Sequence, residues 1–99
     1  MHIRVTPGTM QPGKMAEATA VIQELFDRYR QSGGFQGGYL GGDNQTGEGI
    51  VVTLWDSAEA ARTAVERNGA TMAKLGPLTV TGQTPVPPRA YEVLLHSEG

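Results

Sequence analysis

The 99-residue chain carries a formal charge of -2, with 38% hydrophobic and 18% charged residues and a pI near 5.6. That is globular composition for one domain with a modest core, and its eight basic residues form no stripe that would hold nucleic acid. The absence of cysteine excludes disulfides, thiolate metal sites and a thiol nucleophile.

The N-terminal MHIRVTPG turns polar too early for a signal peptide, and no apolar run approaches a membrane span. A cytoplasmic protein without a membrane partner is expected. Ile3 and Val5 alternate with His2, Arg4 and Thr6, which predicts a strand over 2–10. Pro12-Gly13 breaks it, and Met15, Ala18, Ile22, Leu25, Phe26 and Tyr29 then recur at helical spacing. A helix over 14–32 follows, ended by Ser32-Gly33-Gly34.

GGFQGGYLGGD, residues 33–43, holds three glycine doublets but neither a Walker lysine nor a GxGxxG spacing. Interleaved Phe35, Tyr39 and Leu40 make it a strand over 34–43, thinned so that a partner subunit or aromatic neighbours in its own sheet can approach. After the turn DNQTGEG, the β-branched run IVVTLW gives a strand over 48–55. Asp56 and Glu59 then suit a capping box for a helix over 57–75, whose inner stripe is Ala58, Ala61, Val65, Met72 and Leu75. Asn68 is the polar intruder in that stripe. Residues 76–88 form a proline-rich loop or arm, with a possible short strand at 78–81, and RAYEVLLH gives a last strand over 89–96.

The order βαββαβ is that of a ferredoxin-like α+β domain (1–99) with a four-stranded antiparallel sheet. Two helices cover one face of such a sheet. IVVTLW and AYEVLL are apolar on both faces, so the second face calls for a partner sheet and a homodimer.

PGKMAEATAVIQELF, GFQGGYLGG, GIVVTLWDSAEAARTA and the closing YEVL together resemble the antibiotic-biosynthesis monooxygenase (ABM) type of dimeric α+β barrel. The resemblance spans nearly the whole chain and implies two sheets facing each other across a dimer. It also implies a pocket between helices and sheet in each subunit, and oxygenase chemistry that needs no metal, flavin or other cofactor. There the substrate, a phenolic polyketide-like or quinol compound, supplies the electrons from its own anion.

Trp55, Asn68 and Tyr29 are the candidate catalytic residues, and no base among them can be singled out. Trp55 stands where the resemblance places a pocket-wall tryptophan, and equally reads as a core aromatic with a bonded indole N–H. Asn68 offers a donor to a substrate oxygen, or is a helix side chain rotated to the edge or bonded to a nearby turn. The pocket set is Arg4, Thr6, Ile22, Phe26, Tyr29, Val51, Thr53, Trp55, Val65, Asn68 and Met72. Thr6 and Val65 occupy the positions where haem-degrading relatives carry an asparagine and the haem-ligating histidine, so haem chemistry is not expected.

His2 and His96 fall at one end of the sheet, with Arg4 and Glu92 in diagonal reach. They form either a polar pocket end or, as ordinary terminal residues, a surface cluster. A cofactor-free monooxygenase is the preferred reading. A non-catalytic small-ligand-binding or stress-related dimer stays open, and an isomerase or cyclase of the same barrel type ranks last for want of a placed base.

Overall fold

The computed structural model describes residues 1–80 and 87–99. Strand β1 (His2–Thr9) leads to helix α1 (Met15–Ser32), strands β2 (Phe35–Gly42) and β3 (Glu48–Trp55), helices α2 (Ala58–Arg67) and α3 (Gly69–Ala73), a 3₁₀ turn at Gly76–Leu78 and strand β4 (Arg89–Glu92). The four strands form one antiparallel sheet in the order β2-β3-β1-β4, the ferredoxin-like arrangement. The proline-rich arm expected over 76–88 lies in part, at 81–86, outside the described residues.

Register decides which side chains meet the helices. Opposed residues of an antiparallel ladder share a face. Trp55, Thr53, Val51 and Gly49 therefore lie on one face with His2, Arg4, Thr6 and Gly8 of β1 and with Phe35, Gly38, Leu40 and Gly42 of β2. This is the covered face, where Ile22, Leu25, Phe26 and Tyr29 of α1 pack with Trp55 and with Ala61 and Ala64 of α2. The opposite face carries Ile3, Val5, Tyr39, Ile50, Val52, Leu54 and Tyr91. No described helix lies on it, and Tyr39, Ile50 and Tyr91 are exposed there.

The glycine doublets resolve into separate tasks. A Cβ on Gly38 would stand 2.8 Å from Cζ of Phe26, so the bare backbone there admits the ring edge. On the covered face an aromatic of helix α1 thus packs over Gly38, and Trp55 of the same sheet packs on Phe35. At Gly34, φ is +80° and a Cβ would meet that of Ala60 at 2.7 Å, so glycine is required on both counts. The strand also shifts register between Phe35 and Gly37, which puts Gln36 in a bulge where its amide donates to the Asp56 carboxylate.

Three local expectations change. Helix α2 is capped by Ser57, whose Oγ accepts from Ala60 N–H at 3.1 Å, while Asp56 is engaged by Gln36 and donates its own N–H to Gly34 O. The 57–75 helix is divided at Asn68, where a poor helix former precedes glycine. The last strand ends at Glu92 rather than at 96. His2 pairs with Glu92 and Val93 N–H reaches Met1 O, and from there Leu94 and Leu95 leave the ladder and are exposed.

Lys74, just beyond α3, binds both carboxylate oxygens of Glu24 on α1, at 3.2 and 3.0 Å. The Lys74 hydrogen bonds above all, with its charge and Arg28 adding, lower the Glu24 pKa against the opposing effect of desolvation. They tie the end of the second helical segment to the first. Among the described residues no helix is long and apolar enough to cross a membrane.

Candidate functional site

The space between helices and sheet is filled unevenly. At one end four rings close it: Tyr29 and Trp55 have centroids 5.0 Å apart, Phe35 and Trp55 5.2 Å, Tyr29 and Phe35 5.7 Å, and Phe26 and Phe35 5.8 Å. Tilted and edge-on pairs of this kind each add about 0.5–1.5 kcal/mol beyond area burial. At the other end the floor is bare. Gly8, Gly49 and Gly42 stand opposite one another on β1, β3 and β2, all on the covered face. Three adjacent strands thus offer no side chain, and only the thioethers of Met10 and Met15 approach the row.

A cavity of about 170 Å³ results, walled by Thr6, Pro7, Gly8, Met10, Met15, Ala18, Ile22, Leu40, Gly49, Ile50, Val51, Leu75 and Thr79. Apart from the hydroxyls of Thr6 and Thr79, its side chains are apolar. The segment 78–80 closes its rim, with Gln11 N–H donating to Leu78 O, Val80 N–H to Thr9 O, and the Gln11 amide to Thr79 O.

A second space of about 30 Å³ adjoins it, sharing Thr6, Ile22, Val51 and Leu75. This one is chemically different. Arg4, Tyr29, Thr53 and Met72 complete its wall with Leu25. Burial pushes the Tyr29 phenol above its ordinary value, and the Arg4 charge offsets part of that rise. Among the described residues Arg4 has no carboxylate within ion-pair distance. No carboxylate or imidazole among the described residues lines either space.

The sequence-derived candidates separate accordingly. Thr6, Ile22 and Val51 border both spaces, and Arg4, Tyr29, Thr53 and Met72 border the smaller. Trp55 borders neither; it is fully buried, and its Nε1–H donates to Thr53 Oγ1 at 2.8 Å. It acts one step removed, orienting a hydroxyl in the wall of the small chamber. Phe26 is spent on Gly38 and Phe35, and Val65 packs against the aromatic core. Asn68 donates its side-chain amide to Ala64 O at 2.8 Å, so it closes α2 and faces neither space. His2 is opposite Glu92, and His96 lies exposed beyond the strand. The two histidines do not meet at a pocket end. Among the described residues no three His, Asp or Glu side chains gather to hold a metal.

Gly8, Met10, Met15, Leu40, Gly49 and Leu75 are wall residues missing from the expected set. Met15 and Leu75 stood in the helical stripes, but the glycine row becomes visible only when the three strands are placed in register.

No family model and no curated protein matches the sequence. Solved structures do match along the whole chain. Rv0793 from Mycobacterium tuberculosis superposes with a TM-score of 0.77 at 15% identity, covering 98% of both chains. SnoaB, a cofactor-independent oxygenase from Streptomyces nogalater, gives 0.78 at 15% identity, covering 96% of this chain and 94% of its own. A protein described as an antibiotic biosynthesis monooxygenase gives 0.75 at 13%, covering 96% and 100%. The chain has the ABM fold. At such identities the likeness concerns the backbone, and the chemistry of this ABM-fold chain rests on its own side chains.

Proposed function

We propose that this ABM-fold chain is a cofactor-independent monooxygenase that oxidises an aromatic polyketide-like or quinol substrate with O₂ in the space between helices and sheet. The observation that carries the reading is an apolar cavity beside a smaller, mostly apolar space bordered by Arg4, Tyr29 and Thr53, where Arg4 lacks a carboxylate partner among the described residues. Its kinship of fold with an oxygenase supports the reading by analogy.

The chemistry suits such a site. A substrate anion gives one electron to O₂, and the resulting radical pair combines at a ring or benzylic carbon as a hydroperoxide. Loss of water, with the hydrogen already on that carbon, leaves a carbonyl, so one oxygen atom enters the product and the other leaves as water. The protein has to bind and stabilise the anion and keep bulk water from the radical pair. Arg4 supplies the positive charge. The neutral Tyr29 hydroxyl can donate a hydrogen bond but cannot serve as a base below its raised pKa. With no carboxylate or imidazole in the wall, the substrate proton goes to solvent, and the rate should follow substrate ionisation as pH rises.

The active unit in this reading is a cytoplasmic homodimer, joined through the apolar outer face of the sheet. Oxygen uptake with anthrone and dihydroquinone, in the presence of a metal chelator, tests the activity. Uptake above the protein-free rate is expected. Uptake at that rate, with a ligand-dependent rise in Tm, would replace catalysis by binding alone.

A further inference from the structure

The two spaces differ in size as well as polarity, and together they restrict the ligand more than the oxygenase reading does. An apolar cavity of about 150 Å³ accepts one benzene ring. The main cavity here, at about 170 Å³, is of that order, and three fused rings would need roughly twice the space or more. Its floor is already stripped to backbone at Gly8 and Gly49, so it cannot deepen toward the sheet there, and Met15 covers the neighbouring Gly42. The adjoining space of about 30 Å³ matches one water or one hydroxyl, and it lies beside Arg4 and Tyr29.

We infer that the site selects a single-ring phenol or hydroquinone, with the ring over the Gly8–Gly49 floor and one oxygen in the chamber of Arg4 and Tyr29. The inference rests on the pocket reading above and chooses the smaller of its two substrate classes. Arg4 is the residue that distinguishes a phenol from a plain arene, since a guanidinium hydrogen bond to the oxygen strengthens as the oxygen gains charge. For hydroquinone the reaction balances as hydroquinone plus O₂ giving hydroxybenzoquinone plus water. The ring is oxidised and O₂ is reduced, with no other reductant.

The methionines supply internal reporters. Met10 and Met15 border the large cavity, Met72 borders the small chamber, and Met1 is exposed and borders neither. With the intact chain labelled at the methionine methyls, phenol and hydroquinone are titrated under anaerobic conditions and anthrone is titrated in parallel. The single-ring ligands should shift Met10, Met15 and Met72 together while leaving Met1 unmoved. Anthrone should shift none of them up to its solubility limit.

Arg4→Gln should weaken phenol binding roughly 10-fold or more, the lower range for a hydrogen bond to a charged group, and Arg4→Lys should restore part of it. Toluene affinity should be the same in all three proteins. Gly8→Ala places a methyl in the cavity in ordinary contact with Met10, so the fold tolerates it while single-ring binding falls. Anthrone binding as tightly as phenol would overturn the size argument yet leave the oxygenase reading standing. Equal phenol affinity in Arg4→Gln would overturn the placement of the oxygen. Absence of shifts with every ligand, together with absence of oxygen uptake, would remove both readings.

Discussion

Gly38→Ala tests the packing that sets the boundary between the closed aromatic end and the open cavity. The added Cβ would lie 2.8 Å from Phe26 Cζ and 3.0 Å from Cε1 and Cε2. Phe26 is itself hemmed in, only 9% exposed and 5.8 Å from the Phe35 ring. The ring must therefore shift, and overpacking of this kind costs about 1–3 kcal/mol. Alanine also restricts the unfolded chain, which returns about 0.4–1 kcal/mol. The net destabilisation expected is on the order of 1–2 kcal/mol, or a Tm drop of roughly 4–16 °C for a domain of this size. Urea unfolding of the wild type, Gly38→Ala, Phe26→Leu and the double variant measures it as a cycle. The smaller leucine should make the alanine close to neutral. A Gly38→Ala penalty of equal size in the Phe26→Leu background, or no penalty in the wild type, would refute the account of this glycine.

Three further outcomes follow from the same geometry. Trp55→Phe deprives the buried Thr53 hydroxyl of its indole donor and should cost about 1–3 kcal/mol in unfolding experiments, with Thr53→Val in that background recovering part of it. Tyr29 has its pKa raised by burial, so its contribution to stability is complete below the ordinary phenol value and is lost as pH rises through the folded value. Wild-type Tm should therefore fall more steeply above about pH 10 than that of Tyr29→Phe, as thermal scans across alkaline pH would record. Val52→Lys puts a charge in the middle of the outer sheet face, opposite Val5 and Tyr39; sedimentation should show the wild type as a dimer at micromolar concentration and the variant as a folded monomer.

Strand and helix order, and with it the fold, followed from residues that repeat at the periods of 2 and 3.6. Local competition was harder to read. Asp56 and Ser57 are both good caps, and only the bulge at Gln36, which claims the Asp56 carboxylate, decides between them. The extent of β4 depended on its ladder with β1, which runs from Val5–Arg89 to His2–Glu92, rather than on the alternation within YEVLLH. The site was legible in halves. Ile22, Tyr29 and Met72 sit in helical stripes that periodicity assigns to the interior, whereas Arg4 and Thr6 lie on the polar side of an alternating strand that register turns toward the helices. Trp55 and Asn68 drew attention through their chemistry, yet their polar atoms are spent inside the fold, on Thr53 and Ala64. The cavity floor is made by Gly8 and Gly49, remote in sequence and adjacent in register, a signal that no single segment contains.

The central claim is that electrons from a substrate anion reduce O₂ within this cavity and that one oxygen atom stays with the product. Turnover under ¹⁸O₂ with a hydroquinone, in chelator-treated buffer, measures it directly by mass spectrometry of the product and by oxygen uptake. The account predicts a hydroxyquinone carrying a single ¹⁸O, formed faster as pH rises through the substrate's ionisation and more slowly by Arg4→Gln. An unlabelled quinone formed with hydrogen peroxide, or a rate no greater than without protein, would contradict it.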